Sequence, residues 1–347
     1  MSVFDRRAKV IQRDAMANLE NFEEFNYLRE YTSKILLDRL QDITNKTFPT
    51  VLDLGSNYGP LVPHLLKKPG TSTVYQMEHS FNTLSKYSQK YHQLAKENNI
   101  NFQQICASEE HLPFKEKSLD LVISCLSLHW VNDLPGTFSQ VRKCLKDDGV
   151  FIGVLFGEDT LQELRSSFVL AEKEIVGGVG HHISPFTSIS DVGNLLNGAG
   201  FTLTTIDQEL MTVNYADAFI LMYDLRRMAE NNVSVLPRRF VSKETFCAVA
   251  SIYQELYGNE DGSVPASFNA IFFIGWAPHE SQPRPKPRGS QTHSFADLNQ
   301  ILSKNPPPAS SPGPSSPPAS SAPGPSSPPT SSASAPGSSA PSRPPSS

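Results

Sequence analysis

The strongest chemical signal in this sequence is a pair of acids around a glycine-containing turn. Asp53 lies inside an apolar, β-rich run, Gly55 and Gly59 follow it with Asn57 between them, and Glu78 ends the next β-rich run. In doubly wound sheets the first strand-to-helix turn offers backbone N–H groups to a ligand, and an acid after the second strand accepts hydrogen bonds from ribose hydroxyls. We expect these residues to form a ligand site, although a plain turn and a solvated glutamate remain alternatives.

Later strand ends add further candidates. Ser108 and Glu109 follow the third predicted strand, and His129 and Trp130 follow the fourth. The Trp130 ring could cover a cationic group, but packing under the next helix explains it equally well. His129 is more typical of a hydrogen-bonded structural histidine than of a base. No catalytic residue is predicted, because no Ser-His-Asp order or Cys-His pair suggests covalent catalysis.

Metal and redox chemistry find little support in the residue pattern. None of the nine histidines begins a His-x-Asp or His-x-Glu motif, so we predict no metal site of the common facial iron type. The cysteines are Cys106, Cys125, Cys144 and Cys247, far apart in sequence and without a Cys-x-x-Cys pair. We interpret them as reduced core residues.

Alternating short elements must position these side chains. β-rich runs at 50–54, 73–77, 102–105, 119–125 and 150–156 are separated by helical patterns, among them 61–68, 81–98 and 134–145. An amphipathic helix is predicted at 23–43, and a helix at 190–197 is followed by strands at 201–210 and 268–276. The pattern predicts an α/β fold: a doubly wound, seven-stranded, mostly parallel sheet with one reversed strand.

The chain divides by composition into three parts. Residues 1–46 form an N-terminal helical segment, and residues 47–298 form the main domain with a helical insert at 215–257. Residues 299–347 are rich in Pro and Ser and offer little apolar surface, so we expect a disordered tail.

Charge and hydropathy exclude some classes of protein. The formal net charge is −5 and no run of Lys and Arg occurs, so nucleic-acid binding is disfavoured. No apolar stretch approaches the roughly 20 residues of a membrane helix. We also expect no clear targeting peptide, since the basic start of the chain contains Asp5.

The segment 53–59 resembles motif I of the class I S-adenosylmethionine-dependent methyltransferases, which have a Rossmann-like fold. The resemblance implies that Asp53 helps to hold the amino group of the cofactor. Asn57 stands where the family has its central glycine, and Ser108 stands where the family has an acid that meets the adenine; Glu109 is an alternative.

A second resemblance covers nearly the whole body. It rests on the segments 4–6, 25–28, 126–135, 182–187, 213–215, 259–266 and 279–282. They resemble a family of mitochondrial complex I assembly factors with a methyltransferase fold, described as arginine hydroxylases of an iron–sulfur subunit. This implies S-adenosylmethionine as cofactor, that subunit as protein partner, and a peripheral location on the matrix side of the inner membrane. A carrier-protein methyltransferase of the biotin pathway type and a non-catalytic assembly chaperone are the alternatives.

A substrate arginine would need an opening beside the cofactor. The segments 156–187 and 215–257 both leave the predicted sheet on its carboxyl-end side. Because carboxylates and aromatic faces are the usual partners of a guanidinium, the candidates are Glu158, Asp159, Phe186 and Tyr215. The two aromatic residues are equally well explained as core.

Overall fold

Seven strands form one sheet in the order β3-β2-β1-β4-β5-β7-β6. A computed structural model of the chain describes residues 2–235, 241–283 and 289–290. The strands are β1 Thr50–Leu54, β2 Thr73–Glu78, β3 Asn101–Cys106, β4 Leu119–Cys125, β5 Leu145–Phe156, β6 Thr202–Tyr215 and β7 Val264–Trp276. Strands β1 to β5 pair in parallel, whereas β7 is antiparallel to both β5 and β6. The predicted fold class is confirmed.

Ten α-helices are present among the described residues. They are α1 Arg6–Ala17, α2 Tyr27–Gln41, α3 Val62–Leu65, α4 Phe81–Ser85, α5 Ser88–Glu97, α6 Leu134–Cys144, α7 Gln162–Ile175, α8 Ile189–Gly198, α9 Ala218–Arg227 and α10 Lys243–Tyr257. Short 3₁₀ helices cover Phe22–Phe25 and Leu128–Trp130. Within this part of the chain, no helix combines the length and apolar character that a bilayer crossing requires.

The sheet lies between two hydrophobic layers. On one face Val51 and Leu121 pack with apolar side chains of α2, α3, α5, α7, α9 and α10. On the other face Leu52 and Val122 pack with α6 and α8. Neighbouring strand residues point to opposite faces and both faces are covered, so most residues of the central strands β1 and β4 are buried, whereas the edge strands β3 and β6 are partly exposed. The described residues up to Glu280 form one compact unit, and 281–283 and 289–290 belong to a second.

Several predicted elements differ in their bounds. The helix expected at 81–98 is broken, because Tyr87 leaves helical geometry and its ring packs against Tyr58 and Tyr91. The expected helix at 23–43 begins as a 3₁₀ turn before α2. Strand β6 continues to Tyr215, since Met211, Val213 and Tyr215 are alternately buried along it. The disordered tail expected at 299–347 lies outside the described residues.

The interpretation of the cysteines needs correction. Cys125 and Cys144 are buried, as expected, but Cys106 and Cys247 are exposed. Cys106 ends the edge strand β3, and Cys247 lies on α10 beside a cavity. All four are free thiols.

Candidate functional site

The glycine turn after β1 has the backbone geometry that its sequence predicts. Gly55, Asn57 and Gly59 all have positive φ values, of 64°, 54° and 85°. Asn57 adopts this conformation because asparagine tolerates the left-handed region better than most residues. Its backbone N–H donates to Oε2 of Glu78 at 2.9 Å, and the N–H of Ser80 donates to Oε1 at 3.0 Å. The turn and the acid at the end of β2 therefore meet directly.

Asp53 is a buried acid without a partner. Its side chain is fully buried, and neither carboxylate oxygen has a hydrogen-bond partner among the residues that the structure describes. Burial raises the pKa of Asp53 to about 8, with a further contribution from the Glu78 charge, while Arg29 works in the opposite direction. Buried polar groups are normally satisfied, so an unpaired acid at a strand end is typical of a functional position.

The guanidinium of Arg13 lies between two buried acids. Its Nη1 donates to Oε1 of Glu78 at 2.7 Å and lies 3.4 Å from Oε1 of Glu109. Its Nη2 donates to the hydroxyl of Ser127 at 2.9 Å, and that hydroxyl donates to Glu109 at 2.7 Å. Arg6 donates to the other oxygen of Glu109. Two arginines of α1 thus neutralise the two acids.

A third cation of α1 covers the candidate aromatic residue. Nζ of Lys9 lies 3.3 Å from the ring centroid of Trp130, which is a cation–π contact. The same ammonium group donates to the carbonyl oxygens of Ala229 at 2.8 Å and Asn231 at 2.9 Å. Trp130 is fully buried and donates from Nε1 to Glu230 at 2.9 Å.

Contacts with neighbouring side chains determine the ionisation of these acids. Burial alone opposes ionisation of Glu109, but Arg6 and Arg13 outweigh it and lower the pKa of this carboxyl to about 2. Burial also opposes ionisation of Glu230, whose pKa is nevertheless lowered to about 2, chiefly by its hydrogen bond to His129. Asp53 is the exception, because neither of its carboxyl oxygens has a partner in the described part of the chain.

Little space remains between the glycine turn and the end of β4. A Cβ atom added at Gly55 would lie 2.3 Å from Oγ of Ser127 and 2.9 Å from Oε1 of Glu109. The side chains that fill this volume are held in place by Arg13. The basic face of α1, defined as Arg6, Lys9 and Arg13, therefore closes the site.

The structure brings together most, but not all, of the predicted cofactor residues. Glu78, Glu109 and Trp130 all contact the basic face of α1, and the turn lies beside them. Ser108 is half-buried and its hydroxyl accepts a hydrogen bond from the N–H of Glu110, so it takes part in a local turn.

The four substrate candidates are spread out. Glu158 and Asp159 are exposed just after β5. Phe186 lines a cavity of about 740 Å³, whose walls come from α7, the segment 181–186, α9 and α10. Tyr215 is buried, and its hydroxyl lies 2.5 Å from that of Tyr27.

Four charged residues of the site are not predicted from the sequence: Arg6, Lys9, Arg13 and Glu230. Arg6, Lys9 and Arg13 appear in the sequence only as a basic start, but their spacing of three and four residues after Asp5 is a helical signal. Asp5 caps α1 by accepting hydrogen bonds from the N–H groups of Arg7 and Ala8. Glu230 gives no such signal, since it meets Trp130 only through the tertiary fold.

Comparisons with known proteins agree with this architecture. A family model described as a methyltransferase domain matches residues 52–153. The crystal structure of a candidate methyltransferase from Bacillus halodurans superposes with a TM-score of 0.50 and 16% identity, over 71% of this chain and 100% of that chain. This likeness supports the fold alone.

Curated relatives extend the match to nearly the whole body. The arginine-hydroxylase NDUFAF5, mitochondrial, of Danio rerio is 44% identical over 301 residues, which cover 87% of this chain and 91% of the relative. This chain belongs to the arginine-hydroxylase NDUFAF5 family. A malonyl-[acyl-carrier protein] O-methyltransferase of Xylella fastidiosa is 30% identical over 253 residues, covering 72% of this chain and 81% of the relative. This member of the NDUFAF5 family therefore has a methyltransferase fold.

Proposed function

We propose that this protein is an arginine hydroxylase that acts in the assembly of mitochondrial respiratory complex I. The observation that carries the proposal is the match to a relative named as an arginine hydroxylase, over nearly the whole length of both chains. The substrate that we propose is an arginine of the iron–sulfur subunit of complex I. We propose that it acts on the matrix side of the inner mitochondrial membrane. The support is that the relative is named as a mitochondrial protein.

The cofactor that we propose is S-adenosylmethionine, held at the carboxyl ends of β1, β2 and β4. The residues that would hold it are Asp53, Gly55, Asn57, Gly59, Glu78, Ser108, Glu109 and Trp130. Their chemistry fits: the unpaired carboxyl group of Asp53 would ionise beside an ammonium group, and Glu78 suits two hydroxyls. When bound, the cofactor supplies a cationic sulfonium with an electrophilic methyl group.

The substrate arginine would enter between the two inserted segments. The cavity of about 740 Å³ has the size of a ligand pocket, and its walls include the aromatic rings of Phe168, Phe186 and Phe246. Aromatic faces suit the aliphatic stem and the planar guanidinium of arginine. Glu230 lies at this cavity and also contacts Trp130, so the cavity and the cofactor site share a wall.

The charges at the strand ends suit a cationic substrate next to a cationic cofactor. Glu78 and Glu109 both lie against Arg13, because two carboxylates buried close together need cations nearby. In the structure α1 supplies those cations. Replacing a C–H bond of arginine by C–OH also consumes an oxidant that removes two electrons, so a further reactant takes part in the proposed reaction.

Two other functions have specific support. The similarity to the Xylella fastidiosa enzyme favours methyl transfer from the same cofactor site. The closure of the site by α1 favours a non-catalytic chaperone that binds its partner without using a cofactor. Both share the proposed partner and differ only in what happens to it.

Mass spectrometry of the iron–sulfur subunit distinguishes these functions. Cells that lack the protein are complemented with the wild-type chain or with an empty vector, and arginine peptides of the subunit are compared. Hydroxylation predicts an arginine heavier by one oxygen atom only with the wild-type chain. Methylation predicts a gain of one methylene group, and the chaperone function predicts restored complex I with an unchanged subunit; either result contradicts the proposal.

A further inference from the structure

Three cations of α1 occupy three of the four acceptors that the proposed cofactor needs, and Asp53 is the fourth. Arg13 contacts Glu78, the proposed ribose acceptor, at 2.7 Å, and Lys9 lies on the Trp130 ring, the proposed partner of the sulfonium. Arg6 contacts Glu109, the candidate for the adenine. The three cations follow one another at spacings of three and four residues, so they lie on one face of the helix.

These contacts are buried and leave no room beside the turn. Arg13 is 2% exposed and Lys9 is 1% exposed. Their partners Glu78, Glu109 and Trp130 are buried to the same degree. The hydroxyl of Ser127, to which Arg13 donates, lies 2.3 Å from the position of a Cβ atom added at Gly55.

We propose that the basic face of α1 is an intramolecular competitor of the cofactor, which binds only when Arg13 leaves Glu78 and Ser127. The inference rests on the proposed cofactor site. It assigns to Arg6, Lys9 and Arg13 a role in setting cofactor affinity. It also gives Glu109 cationic partners in a buried site before the cofactor arrives.

The balance of charge makes such an exchange feasible. A buried ion pair gains Coulomb energy but loses hydration, so its net contribution to stability is small. The cofactor brings a sulfonium and an ammonium group, which replace part of the positive charge that α1 withdraws. The chain ahead of α1 has its own anchor, because the N–H groups of Val3 and Phe4 donate to Asn132 and that of Asp5 donates to Val233. The other end of α1 is held by hydrogen bonds from Ser80, Thr83 and Lys86 to Asp14, Arg13 and Ala17, so the proposed exchange requires that these bonds break.

Calorimetric titration of the full chain with S-adenosylmethionine and S-adenosylhomocysteine tests the competition. Arg13→Gln removes the charge that holds Glu78 and should tighten binding by about tenfold or more, since a charge-assisted contact no longer opposes the ligand. Arg7→Gln is the matched control, because Arg7 is exposed on the same helix and carries the same charge. The control should bind like the wild type.

A second measurement uses only the wild-type chain, in case Arg13→Gln fails to fold. Hydrogen exchange of the backbone amides of α1 is compared with and without saturating S-adenosylhomocysteine. Faster exchange over Arg6–Ala17 in the complex supports the competition. Equal or slower exchange there overturns it, because the helix then keeps its contacts when the ligand binds.

The outcomes separate this inference from the proposed cofactor. If the wild type binds and a folded Arg13→Gln variant binds equally or more weakly, the competition is wrong and the cofactor site stands. If neither chain binds at millimolar ligand, both the competition and the proposed cofactor are wrong.

Discussion

Asp53 shows how strongly the fold changes the chemistry of a single residue. Burial raises the pKa of this carboxyl to about 8, so the folded chain holds a proton that the unfolded chain releases near its ordinary pKa of 3.8. Because the folded state binds more protons, the free energy of unfolding falls as the pH rises between these two values. Above pH 8 this contribution no longer changes.

Asp53→Asn should remove that dependence. The amide cannot ionise, so the gain in stability of the variant over the wild type should grow from pH 5 to pH 8, reaching on the order of a few kcal/mol. Urea denaturation at the two pH values measures it. The same variant should bind S-adenosylmethionine more weakly, since the proposed ammonium contact is lost. A stability difference that is constant with pH would contradict the ionisation of Asp53 described here.

Sequence reasoning located the acceptors of the site but not the cations. Asp53, Gly55 and Glu78 follow from local patterns, because a strand, a turn and a strand end fix their places in a parallel sheet. Arg13 meets Glu78 only after α1 folds back across the strand ends. Such a contact depends on tertiary structure, so no local pattern encodes it, although the helical spacing of the basic residues was visible.

Among the secondary-structure elements, the sequence predicts the strands of the sheet more fully than the helices that connect them. The alternation of strands and helices gave the parallel core, and the reversed strand was expected from its position after the insertion. The helix α7 lies inside the segment 156–187, for which the sequence predicts only an opening. Packing of Tyr87 against Tyr58 and Tyr91 divides α4 from α5, and this tertiary contact overrides the helical pattern.

The cap of α1 links helix stability to the site. Asp5→Ala removes the acceptor for two N–H groups and should lower the stability of the helix by about 1 kcal/mol. If α1 competes with the cofactor, the variant should also bind S-adenosylmethionine more tightly, which calorimetry measures.

The matched control is another helix cap. Ser188 caps α8, which packs in the layer of Leu52 and Val122, so Ser188→Ala should lower the melting temperature without changing cofactor affinity. Equal affinity of the Asp5→Ala variant and the wild type would show that α1 stability has no influence on the site.

The segment after β5 provides a test of the proposed substrate opening. Glu158 and Asp159 are exposed carboxylates, so their joint substitution by Ala should abolish arginine modification while the melting temperature and cofactor affinity stay unchanged. Mass spectrometry of the partner subunit measures it. The control is Glu23→Ala with Glu24→Ala, an exposed acidic pair elsewhere. Full modification by the Glu158 and Asp159 double variant would exclude this opening.

At the scale of the whole molecule, the Pro- and Ser-rich tail is expected to be dispensable. Ordering each residue costs about 1–2 kcal/mol, and Pro, Ser and Gly bury little apolar area in return. Deleting residues 306–347 should therefore leave the melting temperature and cofactor affinity unchanged. A fall of several degrees on deletion would show that the tail packs on the body.

The proposed function rests on similarity to an NDUFAF5 relative over most of the chain, not on any one residue. The fold alone is compatible with methyl transfer, hydroxylation or chaperone activity, because each needs only a ligand site at the strand ends. Membership of the NDUFAF5 family narrows this choice through residues spread over most of the chain. The proposed hydroxylation must be consistent with two features of this chain, the acidic residues at the strand ends and the basic face of α1.

The most direct test of the proposed activity follows the source of the added atom on arginine. Cells that express the wild-type chain are grown with methionine carrying a deuterated methyl group, and the arginine peptides of the iron–sulfur subunit are analysed by mass spectrometry. The proposed hydroxylase predicts an arginine that gains one oxygen atom and no deuterium. A deuterated methyl group on that arginine, or an arginine unchanged between cells with and without the protein, would contradict it.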